Sequence, residues 1–354
     1  MEQGKVIVGM SGGVDSAVAA YLLKEAGYAV TGVTLRTWEA ESSRCCELEE
    51  ARRTARALGI PYHPWNATAC FREHVKDSFI KEYLSGRTPN PCVECNPHVK
   101  WPRLLHAADV MQADWVATGH YASLVRLENG RYAVKQAADE GKDQSYMLYR
   151  LTQEQLSRTL LPLGERRKPE VREIAARAGL EVAEKKDSQE ICFVTEGSYG
   201  DYIEGELGKG CAPEGNFVDE EGKILGRHRG ILHYTVGQRK GLGIALGSRV
   251  YVKRIDSRRN EVVLGEAGSL CSREILCGDI ALMAKAGWEE GERIRARVKI
   301  RYGHRGEEAL LERRGEGIRI LFDAPVRAAT PGQSAVFYDE EGRILGGGKI
   351  LGGL

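Results

Sequence analysis

The segment Ser11–Ser16 (SGGVDS) is a glycine-rich loop between a strand-like and a helix-like stretch. Glycines let the backbone turn tightly and approach an anion closely. The amides at the start of the following helix, the helix dipole and the hydroxyls of Ser11 and Ser16 are suited to holding phosphate. The loop is not a Walker A motif, because the GK[ST] ending is missing. We predict a phosphate-binding loop, with an unliganded turn as the alternative.

Cysteines that could carry sulfur chemistry occur in two segments. Cys92 and Cys95 form a CxxC pair within Thr88–Asn96 (TPNPCVECN), and Cys192 lies within Asp187–Phe193 (DSQEICF). The prolines of the first segment predict a stiff loop and not a helix. No second CxxC follows, which weakens a zinc site and favours thiolate chemistry. The other cysteines are expected to be packing thiols: Cys45, Cys46, Cys70, Cys211, Cys271 and Cys277.

Strand-like and helix-like stretches alternate in the first 205 residues, which predicts a parallel sheet covered on both faces. The predicted strands are Lys5–Met10, Ala29–Leu35, Ile60–Trp65 and Asp114–Thr118. The predicted helices are Asp15–Ala26, Cys45–Leu58, Phe71–Leu84 and Pro169–Ala178. Asn129-Gly130 predicts a hairpin over Val125–Val134.

Near residue 205 glycine becomes dense and the helical periodicity stops. Short strand-like runs follow: Arg249–Ile255, Glu261–Leu264, Arg293–Tyr302, Ile318–Phe322 and Ser334–Tyr338. This pattern predicts an all-β remainder. We therefore expect an α/β catalytic domain over 1–205, a small central β-rich domain over 206–272 and a C-terminal β-barrel over 273–354.

Composition restricts the class of protein. The chain has 354 residues, of which 42% are hydrophobic and 29% charged, with a net charge of +1. This balance is typical of a globular protein, and it means that any surface for nucleic acid must be local. No apolar run is long enough to span a bilayer, and the start MEQGKVIVGMSGG has no apolar signal segment. We expect a cytoplasmic protein with no membrane partner and with reduced thiols.

One predicted barrel strand is basic on alternate positions. The period of two in a strand places its cations on a single face: Arg293, Arg295, Arg297, Lys299 and Arg301. Such a row could neutralise several phosphates. The alternative is an ordinary solvated barrel strand.

These motifs together resemble one family, the tRNA-specific 2-thiouridylases of the MnmA type. The resemblance covers nearly the whole chain. It rests on eight strings in order: GMSGGVDS (Gly9–Ser16), GRTPNPCVECN (Gly86–Asn96), ATGHYA (Ala117–Ala122), GKDQSYML (Gly141–Leu148), SQEICF (Ser188–Phe193), HYTVGQRKGLGI (His233–Ile244), RYGHR (Arg301–Arg305) and TPGQSAVFY (Thr330–Tyr338). It implies that the N-terminal domain has the adenine nucleotide alpha hydrolase-like (PP-loop) fold.

The resemblance implies ATP and Mg²⁺ as cofactors. Asp15 would help to hold magnesium on the leaving pyrophosphate, and Leu35, where relatives often have Met, would line the adenosine. The implied ATP-binding residues are Gly9, Met10, Ser11, Gly12, Gly13, Val14, Asp15, Ser16, Leu35 and Gly119.

The resemblance further implies 2-thiolation of the wobble uridine of tRNA. Adenylation of the C2 carbonyl oxygen would precede sulfur transfer from a persulfide on Cys192, with Cys95 as the first catalytic cysteine and a Cys95–Cys192 disulfide as the product. A sulfur-donor protein would be a second partner. The target base would leave its stack, with Tyr121 or Tyr302 as a stacking platform. The implied tRNA contacts are Asn90, Pro91, Cys92, His120, Lys142, Asp143, Gln144, Arg301, Tyr302 and Gln333.

Three alternatives stay open. Some relatives have Asp where this chain has Cys92, so a [4Fe–4S] cluster on Cys92, Cys95 and Cys192 could replace the persulfide. A different PP-loop adenylating enzyme, such as an amidotransferase-coupled synthetase, would not need Cys95 or Cys192. A non-catalytic RNA-binding sulfur carrier would not turn over ATP.

Overall fold

A computed structural model describes residues 3–38, 45–185, 191–194, 197–244 and 249–353. Part of the predicted DSQEICF motif, residues 187–190, lies outside the described residues, and so do the side chains of Cys45 and Cys46. Within the described ranges, no helix is long and apolar enough to cross a membrane.

The first two hundred residues alternate between strands and helices, as predicted. The strands are β1 (Lys5–Gly9), β2 (Ala29–Arg36), β3 (Tyr62–Asn66), β4 (Trp115–Thr118), β5 (Ser123–Arg126), β6 (Tyr132–Lys135) and β7 (Thr159–Leu160). The helices are α1 (Val14–Glu25), α2 (Cys45–Leu58), α3 (Thr68–Phe71), α4 (Asp77–Leu84), α5 (Pro91–Cys95), α6 (Trp101–Val110), α7 (Gln153–Ser157), α8 (Lys168–Arg177) and α9 (Tyr199–Leu207).

The described strands form a parallel sheet in the order β3-β2-β1-β4-β7. Alternate side chains of β1 show how both faces are buried. Val6 and Val8 pack with α1, α2 and α8, whereas Ile7 packs with α6 on the opposite face. The predicted parallel sheet is confirmed, and so is the hairpin, in which β5 pairs with β6.

The segment that carries the CxxC pair is helical, so the prediction of a stiff loop is wrong. Asn90 caps α5, its side chain accepting a hydrogen bond from the Cys92 amide at 3.2 Å. Pro91 occupies the first turn, where a backbone N–H would have no partner within the helix, so the absence of one in proline costs no hydrogen bond. The helix then widens into a π-helical stretch, Asn96–Lys100, around the ring of Pro97 before α6 begins.

The remainder of the chain is mainly β-structure. Its strands are β8 (Gly215–Val218), β9 (Ile224–His228), β10 (Tyr251–Asp256), β11 (Glu261–Gly265), β12 (Cys271–Leu282), β13 (Arg293–Lys299), β14 (Glu307–Arg314), β15 (Gly317–Arg327), β16 (Ser334–Tyr338) and β17 (Ile344–Gly353). Across the described residues, β8 to β11 form a four-stranded sheet, and β12 to β17 form a closed barrel in the order β12-β15-β14-β13-β16-β17. The predicted C-terminal barrel is confirmed.

The basic strand β13 has the predicted alternation, with Ala296 and Val298 buried in the barrel core. Its outward cations, however, already have partners. Lys299 is 7% exposed and pairs with Asp143 at 2.9 Å. Acidic side chains of the barrel pair with the neighbouring arginines: Arg293 with Glu312 and Arg295 with Asp323. Three of the five cations in the predicted row are therefore neutralised within the protein, whereas Arg297 and Arg301 bond to neutral oxygens.

Candidate functional site

The SGGVDS loop leaves β1 at the carboxyl edge of the sheet and enters α1 directly. Gly12 has φ +73, in the left-handed region that glycine adopts without strain. The hydroxyl of Ser16 donates to the carbonyl of Gly13 at 3.1 Å and accepts from the amide of Ser11 at 3.2 Å. These bonds fix a tight turn whose following helix begins with unpaired amides, the arrangement that binds phosphate.

Gly119, at the end of β4, lies directly against the start of α1. A Cβ atom at this position would come 2.6 Å from the carbonyl carbon of Asp15 and from the amide of Ser16. A glycine is therefore required for the two segments to meet. Ligands of open parallel sheets bind at this carboxyl edge.

Asp15 is held by two donors that the sequence did not identify. Its Oδ1 accepts from the Tyr121 hydroxyl at 2.7 Å and from the Lys168 ammonium at 2.6 Å. Tyr121 is only 2% exposed, so the expectation that it stacks on a base is wrong. No spacing in the chain links Lys168 to Asp15, which is 153 residues away.

A single cavity of about 420 Å³ joins the loop to the cysteines. Its size is typical of a small-molecule site. Many predicted site residues line it: Gly9, Met10, Ser11, Asp15, Ser16, Leu35, Pro91, Cys92, Cys95, Gly119, His120, Gln144 and Cys192. Gly12, Gly13 and Val14 complete the loop outside the cavity wall, and the side chain of Val14 is buried.

The thiols of the cavity differ in environment. Burial raises the pKa of Cys95 to about 12, and the nearby charge of Lys100 opposes that shift. Burial also raises the pKa of Cys92, although solvent reaches this residue through the cavity. Cys192 is exposed. In this conformation Cys95 is therefore a protonated thiol near neutral pH, and its activation requires a change in its surroundings.

Lys100 contacts His120, which the sequence predicted only as a tRNA contact; the pairing itself was not identified from the sequence. The Lys100 ammonium lies 3.4 Å from His120 Nε2, and His120 Nδ1 lies 2.7 Å from the Thr118 hydroxyl. Burial and then the charge of Lys100 lower the pKa of His120 well below its ordinary value, so the ring is neutral. Because an ammonium can only donate, Nε2 accepts from Lys100 and Nδ1 carries the proton. The neutral ring of His120 thus accepts a hydrogen bond from the Lys100 ammonium in the cavity wall.

The remaining predicted tRNA contacts lie outside the cavity wall. Tyr302 is 40% exposed and Arg301 is exposed beside it. Asp143 is 5% exposed. Gln333 donates to the carbonyl of Thr88 at 2.9 Å, and Asn90 caps α5. Lys142 lies next to Asp143, in the loop before Ser145–Leu148.

The cavity wall contains a carboxylate that could bind magnesium and three thiols that could bind iron. Asp15 supplies a carboxylate to the cavity wall beside the loop, and Mg²⁺ in nucleotide sites is bound by carboxylates together with phosphates. Within the described residues, no group of three or more Cys, His, Asp and Glu side chains is arranged to hold a metal ion. Cys92, Cys95 and Cys192 line one cavity without forming such a ligand set.

The other cysteines only partly match the prediction of packing thiols. Cys277 is buried in the barrel, as predicted. Cys271 is exposed on β12, so the prediction is wrong there. Cys70 is partly buried near Cys95, and its sulfur accepts from Arg103 Nε at 3.2 Å.

Three family descriptions match consecutive parts of the chain. Residues 4–196 match the tRNA methyl transferase HUP domain, residues 200–266 the tRNA methyl transferase PRC-barrel domain and residues 272–350 the aminomethyltransferase beta-barrel domain. The three matched ranges follow the order of the α/β part, the central sheet and the barrel.

Similar proteins match over nearly the full chain. A tRNA-specific 2-thiouridylase MnmA of Lachnoclostridium phytofermentans is 51% identical over 358 residues, covering 98% of this chain and 99% of its own. Another, of Acetivibrio thermocellus, is 48% identical over 363 residues, covering 99% of this chain and 100% of its own. The chain therefore belongs to the tRNA-specific 2-thiouridylase family.

Proposed function

We propose that this enzyme uses ATP to replace the C2 oxygen of the wobble uridine of tRNA with sulfur, releasing AMP and pyrophosphate. The observation that carries the proposal is the cavity itself, in which the SGGVDS loop and the thiols Cys95 and Cys192 share one wall. Such an enzyme must activate an oxygen and deliver a sulfur at the same carbon. A site with only one of these two parts would not suffice.

Activation of the oxygen comes first, because the oxygen of a uracil carbonyl is a poor leaving group. Transfer of AMP from ATP to that oxygen converts it into a good one. The loop Gly9–Ser16 binds the phosphates, while Leu35 and Gly119 line the adenosine. Asp15 would hold Mg²⁺, which neutralises charge on the departing pyrophosphate. Lys168, which now donates to Asp15, adds a second positive charge at that place.

Sulfur transfer follows at the same carbon. The terminal sulfur of a Cys192 persulfide attacks C2, and AMP leaves with the original oxygen. Once a change in its surroundings has removed its proton, Cys95 attacks the Cys192 sulfur as a thiolate. The S–S bond to the uridine breaks, the released 2-thiouridine takes up a proton, and a Cys95–Cys192 disulfide forms. A two-electron reductant opens the disulfide, and a sulfur-donor protein reloads Cys192. These thiol steps suit a reducing compartment such as the cytoplasm.

The tRNA would contact the rim of the cavity. A base that reacts inside an enzyme leaves its stack, and the exposed ring of Tyr302 is available to receive it. We assign catalysis to residues 1–205 and tRNA contacts to residues 206–272 and 273–354. In the catalytic part, His120, Lys142 and Gln144 would face the RNA. Asp143 and Gln333 would act by holding the rim in shape, since both bond to other parts of the protein.

Release of pyrophosphate in the presence of tRNA tests the proposal. Asp15→Ala should abolish it, because the variant loses the carboxylate beside the loop. Asp109→Ala, which removes an exposed ion pair with Arg158 at the far end of α6, is the matched control and should retain it. A wild-type enzyme that releases no pyrophosphate would instead be a sulfur carrier. Release that needs glutamine but neither Cys95 nor Cys192 would indicate an amidotransferase-coupled synthetase.

A further inference from the structure

Glu94 lies between the two thiols of α5 and reaches out of the catalytic part toward the barrel. Its side chain is 15% exposed, and its Oε1 lies 3.0 Å from the ammonium of Lys349 on β17. The same oxygen lies 4.0 Å from the guanidinium of Arg150. The helix of Cys92 and Cys95 is therefore joined to the C-terminal barrel by charge.

Asp279 completes this network from the barrel side. Its carboxylate accepts two hydrogen bonds from Arg150, at 2.7 and 3.2 Å, and lies 3.7 Å from Lys349. Asp279 has φ +51 and sits where the pairing of β12 with β17 shifts register. A bulge of this kind redirects a side chain. Two carboxylates and two basic side chains thus alternate across the interface. We call these four residues the Glu94 network (Glu94, Lys349, Arg150 and Asp279).

The barrel also holds the segment that leads into α5. The amide of Thr88 donates to the carbonyl of Pro331 at 2.9 Å, and Gln333 donates to the carbonyl of Thr88 at 2.9 Å. Gly332, with φ +92, permits this approach, since a Cβ there would meet the Thr88 amide at 2.9 Å. The barrel therefore contacts the thiol segment on both sides of Cys92.

We propose that Lys349 is a positioning residue for sulfur transfer, which acts through Glu94 to fix Cys92 and Cys95 in the cavity. The inference rests on the proposed function. Isolated exposed ion pairs contribute little, but in the Glu94 network the side chains of Glu94, Arg150 and Lys349 are 15%, 14% and 26% exposed and share their partners. The barrel, on which we place tRNA contacts, and α5 would then keep the same relative position during the reaction.

The step that should suffer is sulfur transfer, not adenylation. The SGGVDS loop is built on β1 and α1 and has no member in the Glu94 network. Lys349→Met should lower the single-turnover rate of 2-thiouridine formation by about tenfold, since small misplacements of reacting groups have effects of this order or larger. Release of pyrophosphate and the KM for tRNA should stay within about twofold, because the variant leaves the loop and the outer barrel surface intact.

Three variants make the test specific. Lys349→Arg keeps the charge and should restore most of the rate. Glu94→Gln removes the charge that Lys349, Arg150 and His98 contact, with little change of shape, and should lower the rate at least as much as Lys349→Met. Lys285→Met is the matched control, because Lys285 forms a similarly exposed ion pair with Glu292 within the barrel.

An unchanged thiolation rate in Lys349→Met and Glu94→Gln would overturn the proposal. So would an equal loss of pyrophosphate release and thiolation, which would make the Glu94 network a general stabilising contact. If Lys349→Met does not fold, Glu94→Gln decides by the same two rates. Failure of the proposed function is distinguishable, because the wild-type enzyme would then form no 2-thiouridine.

Discussion

The ammonium of Lys299 lies 2.9 Å from the carboxylate of Asp143, and both residues are less than 10% exposed. Lys299 belongs to the barrel, and Asp143 belongs to the loop beside the cavity. The same carboxylate accepts from the Ser145 hydroxyl at 3.0 Å and from the Gln136 amide at 3.1 Å. Lys299, whose position in the basic row predicted a phosphate contact, therefore joins the barrel to the loop beside the cavity.

Lys299→Met should strongly destabilise the protein, because it leaves Asp143 charged, buried and without its cation. Breaking such a pair typically costs about 3–5 kcal/mol. The matched control is Arg295→Met on the same strand, whose pair with Asp323 is about half exposed and should contribute little to stability. The denaturant midpoint of the two variants measures the difference. Similar midpoints would contradict the structural role of Lys299.

The Asp143 pair should also make stability depend on pH. Burial alone would raise the pKa of Asp143, but the charge of Lys299 and the hydrogen bonds of Ser145 outweigh it and lower the pKa below its ordinary value. A carboxylate with a depressed pKa stabilises the fold at pH values above its unfolded pKa, about 3.9, and loses that effect as the pH falls through the folded value. Acid unfolding of Asp143→Asn should therefore show a weaker pH dependence below about pH 4 than the wild type. An identical dependence would argue against the pair.

Arg301 should carry more of the tRNA affinity than Arg295. Arg301 is exposed and donates to the neutral carbonyl of Arg327 at 3.1 Å, whereas the charge of Arg295 is paired with Asp323. Arg301→Ala should weaken tRNA binding alike for all sequences and reduce the slope of log K against log salt by about one. Arg295→Ala is the control, with a smaller change expected. Equal slopes for wild type and Arg301→Ala would remove Arg301 from the interface.

Gly119→Ala should weaken ATP binding by displacing the start of α1. The added methyl group would lie 2.6 Å from backbone atoms of Asp15 and Ser16, which cannot yield as a flexible side chain can. Gly287→Ala is the matched control, because nothing lies within 4 Å of a Cβ at that position. Titration with a non-hydrolysable ATP analogue measures both. Unaltered affinity in Gly119→Ala would show that the loop adjusts.

Alkylation of Cys95 should be slow and should rise steeply with pH. Burial raises its pKa to about 12, so the reactive thiolate fraction grows about tenfold per pH unit between about pH 8 and 10. Lys100→Met should slow the reaction further, since the charge of Lys100 lowers this pKa. Labelling with iodoacetamide, followed by mass analysis of the Cys95 peptide, gives the rates. Faster labelling in Lys100→Met would contradict the electrostatic role of Lys100.

The overall architecture could be predicted because its signals are local. Alternating apolar strands and helices closed by glycine indicated the parallel sheet, and period-two strands indicated the barrel. The CxxC segment was misjudged for an equally local reason. Prolines were taken as helix breakers, although Pro91 stands in the first turn after the Asn90 cap, where proline is favoured.

The lysines that pair with carboxylates at or near the site could not be predicted from local signals. Lys168 meets Asp15, and Lys349 meets Glu94, across more than one hundred residues of sequence. Neither lysine lies in a motif with a chemical meaning of its own. Only the folded chain brings these pairs together, so their roles follow from distance and burial and not from spacing.

The formation of 2-thiouridine by Cys95→Ala, Cys192→Ala and Cys92→Ala, measured side by side, tests the central claim most directly. The tRNA is digested and analysed by mass spectrometry after reaction with ATP and a sulfur donor. The persulfide mechanism predicts no product from Cys95→Ala or Cys192→Ala and most of the wild-type activity from Cys92→Ala. A Cys92→Ala enzyme as inactive as Cys95→Ala would favour an iron–sulfur cluster on all three thiols, and full activity in Cys192→Ala would contradict the account altogether.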